Sequence, residues 1–213
     1  MTKKISDADY KKQRKALKDT YQDASEVVGN ILYSREAQDT SLRFGGVFYD
    51  GSALRKLAVL IANEKVLAFI VGNTADLPAG SEAKYLQDID AILLRHQPTD
   101  AYGKSAVIHE CIHAIMDMDK RDITNATNEK YAFIFQALYL RRLNVTGTII
   151  GAGGTQDLKF PPAAFIVADK IRNDQAVLLD DVMHLEATLK SNADYGNLEA
   201  KSPDDGIRGM RRR

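Results

Sequence analysis

Two histidines and a glutamate stand in the order His109, Glu110, His113 inside the stretch KSAVIHECIHAIMDM, residues 104–118. A helix turns about 100° per residue, so His113 falls roughly 40° from His109, one turn along the same face. Two imidazoles so placed reach a common point outside the helix, and zinc takes ligand nitrogens about 2.0–2.1 Å away. Glu110 falls near ~100°, beside the pair and turned from direct ligation. That is the position for a general base, which accepts a proton from a metal-activated water and leaves the ion's open position free. Cys111, the single cysteine, falls near ~200° on the opposite face. It shares neither metal nor nucleophilic chemistry with the histidines and reads as a small buried hydrophobe.

A catalytic zinc needs three protein ligands and one open position. The candidate third ligand is Glu129, in TNEKYAF at the start of the next helical stretch. Helices joined by a short loop pack as antiparallel neighbours, which carries the start of the second toward His113. Asp117 is the rival. It lies one turn beyond His113, too far along the same helix to close a tetrahedral set easily, and suits a supporting role or a helix-end charge. Candidates for stabilising an oxyanion are Tyr102, Tyr131, Tyr139 and His184.

Residues 104–143 resemble the zincin metallopeptidases of gluzincin type, in which HECIH is followed by a helix bearing the ligand glutamate. The resemblance implies His109, His113 and Glu129 as Zn2+ ligands, Glu110 as catalytic base and proton shuttle, and a peptide or protein as substrate. NEKYA, with Ala132 three residues after Glu129, looks like the E-x-x-A variant, in which alanine lets the two helices approach closely. One position departs. Thermolysin-like members carry an aspartate four residues after the ligand glutamate to orient the first histidine, and Phe133 stands there in this chain. Orientation must then fall to another group, Asp117 or a backbone carbonyl. The implied fold is α+β and zincin-like, mostly helical with a small antiparallel sheet beside the active-site helix. VLAFIVG reads first as a plain core strand and is also the candidate edge strand for pairing with an extended substrate. The competing reading is a zincin scaffold that binds a partner without turnover. A pure binding module has no need of a base beside the histidines, so Glu110 favours the enzyme.

The elements that must position these groups read as follows. Residues 7–33 carry apolar residues at helical spacing and suggest one long helix capped by Asp7. Val47, Phe48 and Tyr49, between Gly-Gly and Asp-Gly, suggest a short strand. LAVLIA and VLAFIVG around NEK suggest a β-hairpin, the first run being compatible with helix as well. Tyr85, Leu86, Ile89, Ile92 and Leu93 suggest a helix over 81–96, ended before Pro98. The stretch NEKYAFIFQALYLRRL is apolar on every side, which predicts a buried helix, with Asn125 or Thr127 as its cap. IIGAGGTQD lacks the last glycine of a dinucleotide fingerprint and reads as a turn, a mobile loop or a lid. A last helix or helix pair spans about 163–190. Residues 1–195 form a single domain in this reading, and 196–213 a mobile polar tail.

The chain has 213 residues, with 29 basic and 29 acidic side chains and a formal net charge of zero. That balance gives no basis for a nucleic-acid or membrane partner. One cysteine rules out an intramolecular disulfide. The basic N-terminus is followed by no apolar core of a signal peptide. The most apolar window, residues 57–71, is interrupted by Asn63, Glu64 and Lys65 and is short for a membrane span. The expectation is a cytoplasmic protein, with signal-independent export left open.

Overall fold

The computed structural model describes residues 5–77, 80–120, 123–145, 161–190 and 207–208. Its elements are α1 (Asp7–Thr20), β1 (Gln22–Asp23), α2 (Ser25–Leu32), α3 (Arg35–Gln38), β2 (Leu42–Phe44), β3 (Val47–Tyr49), α4 (Gly51–Ala62), β4 (Leu67–Ile70), β5 (Ala83–Leu86), a 3-10 turn at Gln87–Ile89, β6 (Ala91–Leu94), α5 (Ala101–Met118), α6 (Asn125–Arg142), α7 (Pro162–Arg172) and α8 (Leu179–Lys190). The class is α+β and mostly helical. Among the described residues no helix is long and apolar enough to cross a membrane.

The main sheet has the order β1–β4–β6–β5. β4 and β6 run parallel, while β1 and β5 run antiparallel to their neighbours. The sheet is therefore mixed, where sequence suggested an antiparallel one. It separates two apolar cores. Ala68, Ile92 and Leu94 join the large cluster built with α2, α4, α5 and α6. Leu67, Phe69, Ala91 and Leu93 point the other way, onto Leu17 of α1 and Leu77, with Tyr10 and Tyr21 at the margin.

Burial on both faces explains the largest misreading. Ala91–Leu94 is buried at every position, and a strand covered on both sides shows no alternation to distinguish it from helix. The 81–96 stretch is thus β5, a 3-10 turn and β6. Similarly, the expected 7–33 helix breaks at Tyr21, whose backbone is extended. Gln22 and Asp23 pair with Ile70 and Phe69, a long-range ladder that overrides local helical periodicity. The cap of α1 is Ser6, one residue before Asp7. The expected hairpin is absent: LAVLIA closes α4, capped by Asp50, and only the second run supplies a strand, β4. β4 lies between β1 and β6, so it is not the edge strand; β5 is the edge beside α5.

α5 begins at Asp100, whose Oδ1 accepts from the Gly103 N–H at 2.7 Å. α6 begins at Thr124, whose Oγ1 accepts from the Thr127 N–H, rather than at Asn125 or Thr127. Nearly every residue of α6 from Asn128 to Leu140 is buried, as its all-round apolar pattern predicts. Ala114 of α5 and Ala132 of α6 are fully buried. The cross-helix contacts run in opposite directions along the two chains, Asn128 meeting His113 and Gln136 meeting His109. The helices are therefore antiparallel. IIGAGGTQD lies outside the described residues. Of the tail after residue 195, only Ile207 and Arg208 are described. Ile207 is buried, and the Arg208 guanidinium reaches Asp7 and the Ile5 carbonyl.

Candidate metal centre

One turn of α5 separates His109 from His113, and their Nε2 atoms stand 3.0 Å apart. Glu129, from the first turns of α6, brings Oε2 within 3.3 Å of His109 Nε2 and Oε1 within 3.6 Å of His113 Nε2. Tetrahedral coordination with bonds of ~2.0–2.2 Å separates donor atoms by roughly 3.3–3.5 Å. The three contacts bracket that spacing, and one donor atom from each side chain lies within 4.8 Å of the others, so the group converges closely enough to share a metal ion. It is also the one group of three or more potential metal-ligating side chains that converges among the described residues.

Hydrogen bonds behind the rings decide what the rings offer in front. The Ser105 hydroxyl donates to the Tyr102 carbonyl at 2.8 Å, so its oxygen accepts from Gln136 Nε2 at 3.0 Å. That turns Gln136 Oε1 toward His109 Nδ1, 3.1 Å away. An amide oxygen only accepts, so the proton of neutral His109 sits on Nδ1 and Nε2 presents a lone pair. His113 Nδ1 meets Asn128 Oδ1 at 2.5 Å in the same manner. Two imidazole lone pairs and a carboxylate then face one another. Glu129 Oε2 is buried with no hydrogen-bond donor, although His109 Nε2 is near, because both atoms are acceptors while His109 is neutral. Such a set calls for a cation.

The three groups also bias one another's charge, a protonated His109 donating its Nε2–H to Glu129 in the place a cation would take. Burial pulls the His109 pKa down, yet the hydrogen bond and charge of Glu129, the charge of Glu110 and Gln136 raise it above the ordinary value. Burial pushes Glu129 up, yet the charge of His113 and the hydrogen bond and charge of His109 hold it below the ordinary value. Each partner favours the charged form of the other.

Glu110 lies beside the histidines and lines a cleft together with His109, Tyr102, Ala83 and Phe133. Its Oε2 accepts from the Tyr85 N–H of edge strand β5 at 2.6 Å. Strand register accounts for this contact. The Arg95 N–H donates to the Glu82 carbonyl, and Ala83 is registered with Leu94. Backbone groups of residues 82, 84 and 86 therefore face β6, while those of Ala83 and Tyr85 face the free edge.

The remaining sequence candidates divide. Tyr102 lines the cleft, and burial, followed by the charges of Glu82 and Asp100, raises its hydroxyl pKa, keeping it protonated. Asp117 is buried and accepts from the Tyr85 hydroxyl at 2.8 Å; the histidine Nδ1 atoms are held by Gln136 and Asn128 instead. Tyr131 donates to the Gly45 carbonyl at 3.0 Å and holds the β2–β3 turn. That turn requires glycine, because Gly45 has φ +58° and a Cβ would strike the Tyr131 hydroxyl. Tyr139 is buried in the core. His184 is exposed on α8. Cys111 is fully buried, and burial raises its thiol pKa, leaving it inert.

Sequence reasoning missed Asn128, Gln136 and Ser105. One signal was present: Gln136 follows Glu129 by seven residues, two turns along the same face. Phe133, in place of the usual orienting aspartate, packs edge-on against His109 with ring centroids 4.3 Å apart. Comparison of the chain with protein-family models, curated proteins and solved structures finds no significant match.

Proposed function

We propose that this chain is a zinc-dependent peptidase of the gluzincin type, with His109, His113 and Glu129 holding the ion and Glu110 acting as general base. The observation that carries the reading is the convergence of two Nδ1-anchored imidazoles and one donor-less carboxylate beside a glutamate that opens on a cleft.

Bound by these three side chains, zinc supplies a Lewis acid that polarises a carbonyl and acidifies water. Glu110 accepts a proton from the attacking water and delivers it to the nitrogen of the broken amide bond. The Tyr85 N–H holds Oε2 of Glu110, which leaves Oε1 for the proton. Tyr102, kept protonated in the cleft, is the donor best situated for charge on the carbonyl oxygen. An extended peptide adds to β5 through the outward N–H and C=O of Ala83.

The test uses purified protein and its Glu110→Gln variant. The expected result is about one zinc per chain in both and hydrolysis of a peptide library by wild type alone. Equal hydrolysis by both proteins, or failure of wild type to bind zinc, overturns the reading. Retained zinc with no hydrolysis by either supports the alternative, a scaffold that binds without turnover.

A further inference from the structure

One charged group of the cleft has no part in the chemistry just described. Glu82, immediately before β5, lines it together with Ala83, Tyr102, His109 and Glu110. The side chain is half-buried, and its carboxylate has no hydrogen bond or ion pair with a described residue. Lys84, two residues along the strand, is exposed and makes no pair with it. Glu82 and Tyr102 share the same space: after burial, the Glu82 charge acts most strongly on the Tyr102 hydroxyl. Asp100, the cap of α5, adds a second negative charge nearby. A partly desolvated carboxylate without a counter-charge gains most from an incoming cation.

The strand supplies a scale. Glu82 stands three residues before Tyr85, where Glu110 is tied, which is roughly 10 Å along a strand at ~3.3 Å per residue. A peptide paired with Ala83 therefore carries one of its neighbouring residues past Glu82 while its scissile bond lies near Glu110.

We propose that Glu82 is the specificity-determining anion of this cleft and receives a cationic group of the peptide, a free α-amine or a Lys or Arg side chain, one or two residues from the scissile bond. The inference rests on the peptidase reading of the site. It makes the substrate class basic or N-terminally free peptides.

The experiment uses zinc-loaded full-length protein and short randomised peptide pools. The pools carry either Lys and Arg or norleucine, each with a free or an acetylated N-terminus. Equilibrium binding is read on Glu110→Gln and kcat/KM on wild type. Cationic pools are expected to bind about tenfold to a hundredfold more tightly than neutral ones, the range for a charge-assisted hydrogen bond. Glu82→Gln collapses that ratio, and Glu82→Arg shifts preference toward acidic peptides while zinc content is unchanged. Loss of the preference on acetylation assigns the α-amine; loss with norleucine assigns the side chain. Cleavage of all pools at equal rates, or a ratio that survives Glu82→Gln, overturns the inference and leaves the peptidase reading standing. Glu82-dependent binding of cationic pools with no cleavage by wild type supports the cation site and overturns the peptidase reading.

Discussion

Two carboxylate clusters share helix α5, and they are built on opposite terms. Around Asp90, donors are plentiful. Its carboxylate takes the Tyr10 hydroxyl at 2.7 Å, the Arg208 N–H at 3.1 Å and a longer contact from the Tyr85 hydroxyl at 3.4 Å. The same Tyr85 hydroxyl donates to Asp117 at 2.8 Å. Around Glu129 the protein supplies acceptors: two imidazole nitrogens whose protons point elsewhere. Burial is common to both clusters; the supply of donors differs. A buried acid surrounded by donors is a structural joint, and one facing other lone pairs is a place for a cation.

Substitutions sharpen that contrast, and the largest effects fall on the second cluster. Glu129→Gln or His109→Ala removes a ligand and lowers zinc affinity by more than the ~10–100-fold typical of losing an outer partner. Competition with a chelator reads this directly, and unchanged affinity would break the assignment. Gln136→Leu deprives His109 Nδ1 of its acceptor and costs about 10–100-fold in affinity, with the fold retained. If Asp117→Asn instead lowered zinc affinity by that amount while Gln136→Leu did not, the roles of the two clusters would be exchanged. Ala132→Leu overpacks the α5–α6 contact, at about 1–3 kcal/mol of stability, and weakens zinc binding by forcing the helices that carry the ligands apart.

The first cluster responds in stability alone. Tyr85→Phe leaves two buried carboxylates short of one donor and costs about 1–3 kcal/mol in urea unfolding, with zinc stoichiometry unchanged. Saturating zinc at a hundred times its Kd should stabilise wild type by about 2.7 kcal/mol, and this increment should persist in Tyr85→Phe and vanish in Glu129→Gln at the same zinc concentration. The smallest effect belongs to Asp7→Asn at the Arg208 ion pair. Asp7 is largely exposed there, so its loss should change stability by less than about 1 kcal/mol.

The helical half of the site was legible in the sequence because its information is local. The i, i+4 spacing brings His109 and His113 together whatever surrounds them, and the short connection to an apolar helix carries Glu129 back to them. The rest depends on partners distant in the chain. The all-apolar Ala91–Leu94 becomes a strand because cores form on both of its faces. Gln22 and Asp23 leave the helical path for a ladder partner nearly fifty residues away. VLAFIVG is the core strand its apolar run suggests, while the edge beside α5 comes from the 81–96 stretch read as helix: which strand forms the edge is decided by sheet order, and sheet order leaves no periodicity behind. The supporting amides Asn128 and Gln136 sit at readable helical phases. Their assignment needed the hydroxyl of Ser105, which settles which way Gln136 turns.

Tyr85 clasps α5 at two points, by its N–H at Glu110 and by its ring oxygen at Asp117. Those points lie seven residues apart, about 10 Å along the helix axis. Two bonds from this one residue to separate turns of α5 restrain β5 from sliding along the helix. The wall of the cleft nearest Glu110 is thereby the restrained one, and residues 80–82, which also line the cleft, lie outside this clasp.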